Sequence, residues 1–85
     1  MEALNARIED QGKLVWSGTA QLEVNDASTP RGWRGSIENP PEDILRRNPM
    51  NLICEDGRNG LVIFERRDNR TANFLGSSPF CEMAE

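Results

Sequence analysis

The chain has 85 residues, with ten Lys and Arg against fourteen Asp and Glu, two Cys, two Trp, and neither His nor Tyr. A chain of this length is expected to form one domain that buries roughly 60% of the surface its unfolded form exposes. Without histidine, the chain alone cannot build Ser-His-Asp or Cys-His nucleophile activation, or imidazole metal ligation. The formal charge of −4 disfavours a partner held mainly through phosphates.

Met1–Gly12 is ambiguous. Leu4 and Ile8 stand at i, i+4, yet an isolated helix this short is marginal, so residues 1–11 are expected to be loosely ordered. Glu2, Arg7, Glu9 and Asp10 leave this end without the apolar stretch of a signal peptide.

From Lys13 to Val24 the even positions Leu14, Trp16, Gly18, Ala20, Leu22 and Val24 are apolar or small, and the odd ones are polar except Val15. That alternation predicts a long half-buried strand, with Gly18 marking a bend, a bulge or a close backbone approach. Asn25–Pro30 is a cluster of turn formers and reads as a loop. A second strand is predicted over Arg31–Glu38, with Trp33, Gly35 and Ile37 on one side. The run from Asn39 to Arg47 reads as one or two turns of helix. Asn39 suits its N-cap, Pro40 its first position, and Arg46 and Arg47 its carboxyl end.

Strands return at Met50–Glu55 and Leu61–Arg67, flanking Asp56-Gly57-Arg58-Asn59-Gly60. A two-residue turn at Asp56-Gly57 sets Leu52 opposite Leu61 and Met50 opposite Ile63. A five-residue loop instead sets Leu52 opposite Phe64 and Cys54 opposite Val62, and both registers stay open. Leu61–Phe64, apolar at every position, suggests a central strand packed on both faces. A turn at Asp68-Asn69 pairs Ile63 with Phe74 and Val62 with Leu75, which places a last strand over Thr71–Leu75. Phe80 is placed to tuck back as a plug, and residues 81–85 are expected to be loose. The predicted fold is mainly β: a small five-stranded antiparallel sheet curled into a partly open barrel, with one short helix between the second and third strands. In strand count it resembles the small five-stranded barrels of the SH3-like or OB type, a likeness that implies a fold and no function.

Trp16 and Trp33 fall on the inner faces of adjacent strands. They are candidates for a stacking platform, although filling a core that has few large side chains is the favoured reading. Nine of the ten basic residues are Arg, and charge is uneven along the chain: residues 1–45 carry −4 and residues 46–71 carry +2. Arg31, Arg34, Arg58, Arg66, Arg67 and Arg70 are therefore candidates for gripping an anion, a nucleic acid or an acidic protein surface. The acids interleaved among them favour an ordinary solvated surface. Cys54 precedes Glu55-Asp56, acids that oppose thiolate formation. Cys54 and Cys81 are better read as two reduced thiols than as a pair, and no catalytic or metal-binding motif is evident.

No apolar run approaches the roughly 18–20 residues of a membrane span. Asn69-Arg70-Thr71 is a glycosylation acceptor pattern that matters only in a secreted eukaryotic protein. The expected location is cytoplasmic, with no cofactor. The expected function is a non-enzymatic binding or assembly module that contacts another protein, or itself as a homodimer, through unpaired sheet edges. The alternative is a single-stranded nucleic-acid-binding barrel that uses an arginine face with a tryptophan as stacker.

Overall fold

In a computed structural model, which describes residues 2–46 and 49–82, the alternating pattern of Lys13–Val24 forms the longest of seven strands. In chain order they are β1 (Glu2–Asp10), β2 (Lys13–Val24), β3 (Trp33–Glu38), β4 (Met50–Cys54), β5 (Arg58–Arg67), β6 (Thr71–Gly76) and the two-residue β7 (Cys81–Glu82). Every pairing is antiparallel. The order runs β4-β1-β2-β3-β6-β5, and β4 also pairs with β5, so six strands close into a barrel with β7 added along β5. The expected partly open five-stranded barrel is thus a closed six-stranded one.

The sixth strand is the segment expected to be loose. Glu2–Asp10 pairs with β2 along its whole length and with β4 through Ala6–Glu9. Its alternation is weak in sequence because Leu4, Ala6 and Ile8 are its only inward apolar side chains. The β1–β2 turn places Gln11 and Gly12 at φ 53° and 83°, the left-handed geometry that a tight two-residue hairpin requires. At the other end, Cys81–Glu82 is strand, and residues 83–85 lie outside the described residues.

On β2 the predicted phase holds for Trp16, Ala20 and Leu22, which are buried, and fails at Leu14, which is 64% exposed. The reason is a bulge. Ile8 pairs with Trp16 but Glu9 pairs with Leu14, which leaves Val15 as an extra residue. Val15 packs against the core, and the inserted residue turns Leu14 outward.

The predicted helix is a single 3-10 turn, Ile44–Arg46. Asn39 has φ 53° and donates its N–H to the Arg70 carbonyl at 2.7 Å, so it does not act as an N-cap. Ile44 is the only buried side chain of the turn, and without an apolar stripe a longer helix has nothing to bury. Arg47, assigned to the end of that helix, lies outside the described residues.

Both open hairpin registers are replaced by a third. Leu52 faces Gly60 and Met50 faces Val62, which leaves Glu55, Asp56 and Gly57 as a three-residue turn. The Gly57 N–H donates to the Cys54 carbonyl at 3.0 Å, and Gly57 sits at φ 95°, the left-handed position of such turns. The next hairpin is also displaced by one: Ile63 faces Leu75 and Phe64 faces Phe74, and an extra residue at Glu65 puts Arg66 opposite Asn73. On β5 only Val62 and Phe64 point inward, while Ile63 is 40% exposed, so this strand has one packed face rather than two.

The core joins Ile8, Leu22, Trp33, Ile37, Ile44, Met50, Leu52, Val62, Phe64, Phe74 and Phe80. Phe80 does plug one end of the barrel. It stacks on Trp33 with ring centroids 4.3 Å apart, and its N–H donates to the Ala27 carbonyl at 2.8 Å.

Candidate contact surface

The two tryptophans lie inside. Trp33 is 1% exposed, packs in a T-shaped contact with Phe74 with ring centroids 5.9 Å apart, and donates its indole N–H to the Ser78 carbonyl at 2.7 Å. Trp16 is 8% exposed and donates to the Glu38 carbonyl at 2.8 Å. Neither ring offers a free face to a base.

The candidate arginines are not brought to one place. Arg58 opens β5 while Arg66 and Arg67 close it, a separation of roughly 30 Å along an extended strand. The Arg58 guanidinium lies over the Phe80 ring at 5.1 Å and pairs with Glu2 at 2.6 Å and Asp56 at 2.8 Å. The hydrogen bond that Arg58 donates to Glu2 heads the influences that hold its pKa above the ordinary arginine value. In return, the backbone N–H of Arg58 leads those that hold the Asp56 carboxyl below its usual range. Arg34 pairs with Glu23 at 2.7 Å, and Arg66 reaches Asp68 at 3.7 Å. Arg67 donates to the Pro41 carbonyl at 3.2 Å, tying the 3-10 segment to β5. Arg31 and Arg70 are exposed, on a loop and at a turn. An ordinary solvated surface describes these six better than a convergent anion site.

Cys54 is a free, buried thiol. Burial, reinforced by the Asp56 charge, pushes its pKa from about 9.0 up to about 11, which leaves it a poor nucleophile at neutral pH. Among the described residues no group of three or more His, Cys, Asp or Glu gathers as a metal site, and no helix is long and apolar enough to cross a membrane.

Barrel closure removes most of the sheet edges on which strand addition was expected to occur. The longest edge that stays open among the described strands is Lys13–Thr19, because β3 pairs with β2 only from Ala20 to Val24. Its bulge at Val15 and its terminal Lys13 are features that discourage edge-to-edge pairing.

A different surface emerges on the outer wall of β4, β5 and β6. Ile63 lies directly opposite Leu75, Leu61 is its neighbour two residues back on the same face, and Ile53 is diagonal to Leu61 across β4. Leu61, Leu75 and Ile53 are half-buried, so the four place an apolar strip on one face, with Ile63 its most exposed member and Asn51 and Asn59 flanking the diagonal from Leu61 to Ile53. Each end of the strip borders a depression. Beyond Leu75 lies a groove of about 340 Å³ lined by Gln21, Glu23, Arg34, Ser36, Glu65 and Asn73. Beyond Ile53 lies a shallower one of about 200 Å³ with Asn5, Arg7 and Glu55. A binding module built from this sequence is expected to expose an apolar or aromatic patch containing Val15, Ile53 or Phe64, and Val15 and Ile53 are half-buried. Phe64 is buried, and the one-residue displacement of the register exposes Ile63 in its place.

No family model matches the chain, and neither a curated protein nor a solved structure matches it.

Proposed function

We propose that this chain is a non-enzymatic contact module that binds another protein, or a second copy of itself, through the outer wall of β4, β5 and β6. The observation that carries the reading is the apolar strip Ile53–Leu61–Ile63–Leu75 with charged and amide side chains at both ends. An apolar centre with a polar, hydrated rim is the anatomy of protein interfaces. A strip of branched aliphatic side chains has no use in a reaction, and the nearest thiol, Cys54, is held protonated. The buried tryptophans and carboxylate-paired arginines give the nucleic-acid alternative no comparable support.

A photo-reactive side chain at Ile63 tests this in the cells that make the protein, with one at Ser17 on the opposite wall as control. Ile63 is expected to cross-link to polypeptide, Ser17 is not, and Leu61→Glu is expected to remove the Ile63 product. Cross-linking to nucleic acid, or equal yields from both positions, would overturn the reading.

A further inference from the structure

We propose that the groove at the Leu75 end of the strip receives a basic side chain of the partner, two residues from an aliphatic one that lies on Ile63 and Leu75. The inference rests on the protein-contact reading and specifies the partner's chemistry.

Three features build the groove. Gly35 lies in its floor: a Cβ there would collide with the Gln21 carbonyl and stand 2.8 Å from the Phe74 ring, so only glycine allows β2 and β3 to approach this closely. The extra residue on β5 is Glu65, and it lines the opposite bank. Local insertion of this kind re-aims a side chain without disturbing the strands on either side. Finally, Gln21, Ser36 and Asn73 bring neutral hydrogen-bonding groups to the remaining wall, suited to the main chain of an extended segment.

The charges select the occupant. Arg34 is already engaged by Glu23 at 2.7 Å, and Arg66, beside Asn73, leans on Asp68 at 3.7 Å. Glu65 remains exposed, so among the lining residues two carboxylates, Glu23 and Glu65, face one guanidinium group, Arg34, in a chain of net charge −4. A cation entering the groove meets a net negative wall at short range and an attractive field at long range. In an extended segment, residues two apart share a face about 7 Å apart, the same step as from Leu75 to Asn73 along β6, both of which line the groove.

The probe is an acetylated, amidated peptide Thr-Leu-Thr-Arg-Thr, with versions carrying Glu for Arg and Ser for Leu, titrated into the full chain by amide NMR. The arginine peptide is expected to shift Gly35, Ser36, Glu65 and Asn73 together with Ile63 and Leu75. Glu65→Gln is expected to weaken it about threefold to fivefold, the effect of one exposed ion pair. Glu65→Lys, at an exposed position that leaves the fold intact, is expected to transfer preference to the glutamate peptide. Equal binding of the arginine and glutamate peptides, or indifference to Glu65→Gln, overturns the groove assignment. If Ile63 and Leu61 still shift in that case, the outer-wall reading survives; if the wall is silent to every peptide and the Ile63 cross-link is also absent, both fail. Concentration-dependent shifts of the groove without peptide would make a second copy the occupant and overturn the basic-segment assignment.

Discussion

A tryptophan lies at each end of β2, Trp16 on the strand itself and Trp33 on β3 opposite Val24; each indole N–H donates to a main-chain carbonyl, yet the two are packed differently. Trp33, paired beside Val24, is enclosed by Phe74 and Phe80, with Arg58 lying over Phe80 on the far side. Trp16, near the other end, leans its ring over Gly18 and stands within the open-edged stretch Lys13–Thr19. The difference shows that a hydrogen bond of the same length marks two unlike roles. At Trp33 it accompanies an aromatic stack that joins the carboxyl-terminal segment to the barrel. At Trp16 it accompanies a ring that covers a strand where the sheet stops pairing.

Truncation should expose this contrast most strongly. Trp33→Ala is expected to cost about 3–5 kcal/mol, as for large buried aromatics, with Trp16→Ala at or below the low end of that range. Urea unfolding followed by far-UV circular dichroism measures both, and equal losses would break the contrast.

Adding a methyl group probes the same two sites from the opposite direction. A Cβ on Gly60 would stand 2.6 Å from Trp33 Cζ2, inside the enclosed stack, whereas one on Gly18 would meet Trp16 Cζ2 at 2.9 Å, where the ring has room to tilt. Gly60→Ala is therefore expected to cost about 2–3 kcal/mol through overpacking. Gly18→Ala should cost about 1 kcal/mol, mostly backbone strain at φ 156°. Thermal midpoints of the two variants order them, and a larger loss at Gly18 would reverse the assignment of the rigid end.

Trp16→Phe keeps an aromatic ring and deletes the bond to Glu38, so about 1 kcal/mol or less is expected. It also leaves Trp33 as the sole strong fluorophore, whose blue-shifted emission should persist unchanged until the cooperative unfolding transition.

The last effect depends on pH. Cys54 interacts with Arg58, Asp56 and Glu2, the group that roofs Phe80, and its folded pKa of about 11 lies above the ordinary 9.0. The folded state therefore holds its proton more tightly than the unfolded chain does. Its contribution to stability is complete below about pH 9 and is lost as pH rises through about 11. Wild type should lose stability relative to Cys54→Ala across that window, and parallel profiles would remove the linkage.

Much of the barrel was legible in the pattern of side chains. The span of β2, the loop after it, the inward set Trp33 and Ile37, and Phe80 as a plug all follow from alternation and turn chemistry, which act over a few residues. The candidate site was less accessible. Which of the candidate arginines and tryptophans share a surface was not legible, because pairing with Glu2 and Glu23 and burial against Phe74 are long-range events. Ile63 and Leu75 became surface neighbours only through a register that no local signal specifies.

By itself, then, the sequence determined where five of the strands, β2 to β6, run and which face of most of them is apolar, since a period of two is written into consecutive residues. Tertiary structure decided that Glu2–Asp10 completes the ring, that Val15 and Glu65 are extra residues, and that β4 meets β5 with Leu52 on Gly60. Those choices depend on how many strands must share one small core. In a closed sheet a slip of a single residue transfers a whole row of side chains between inside and outside.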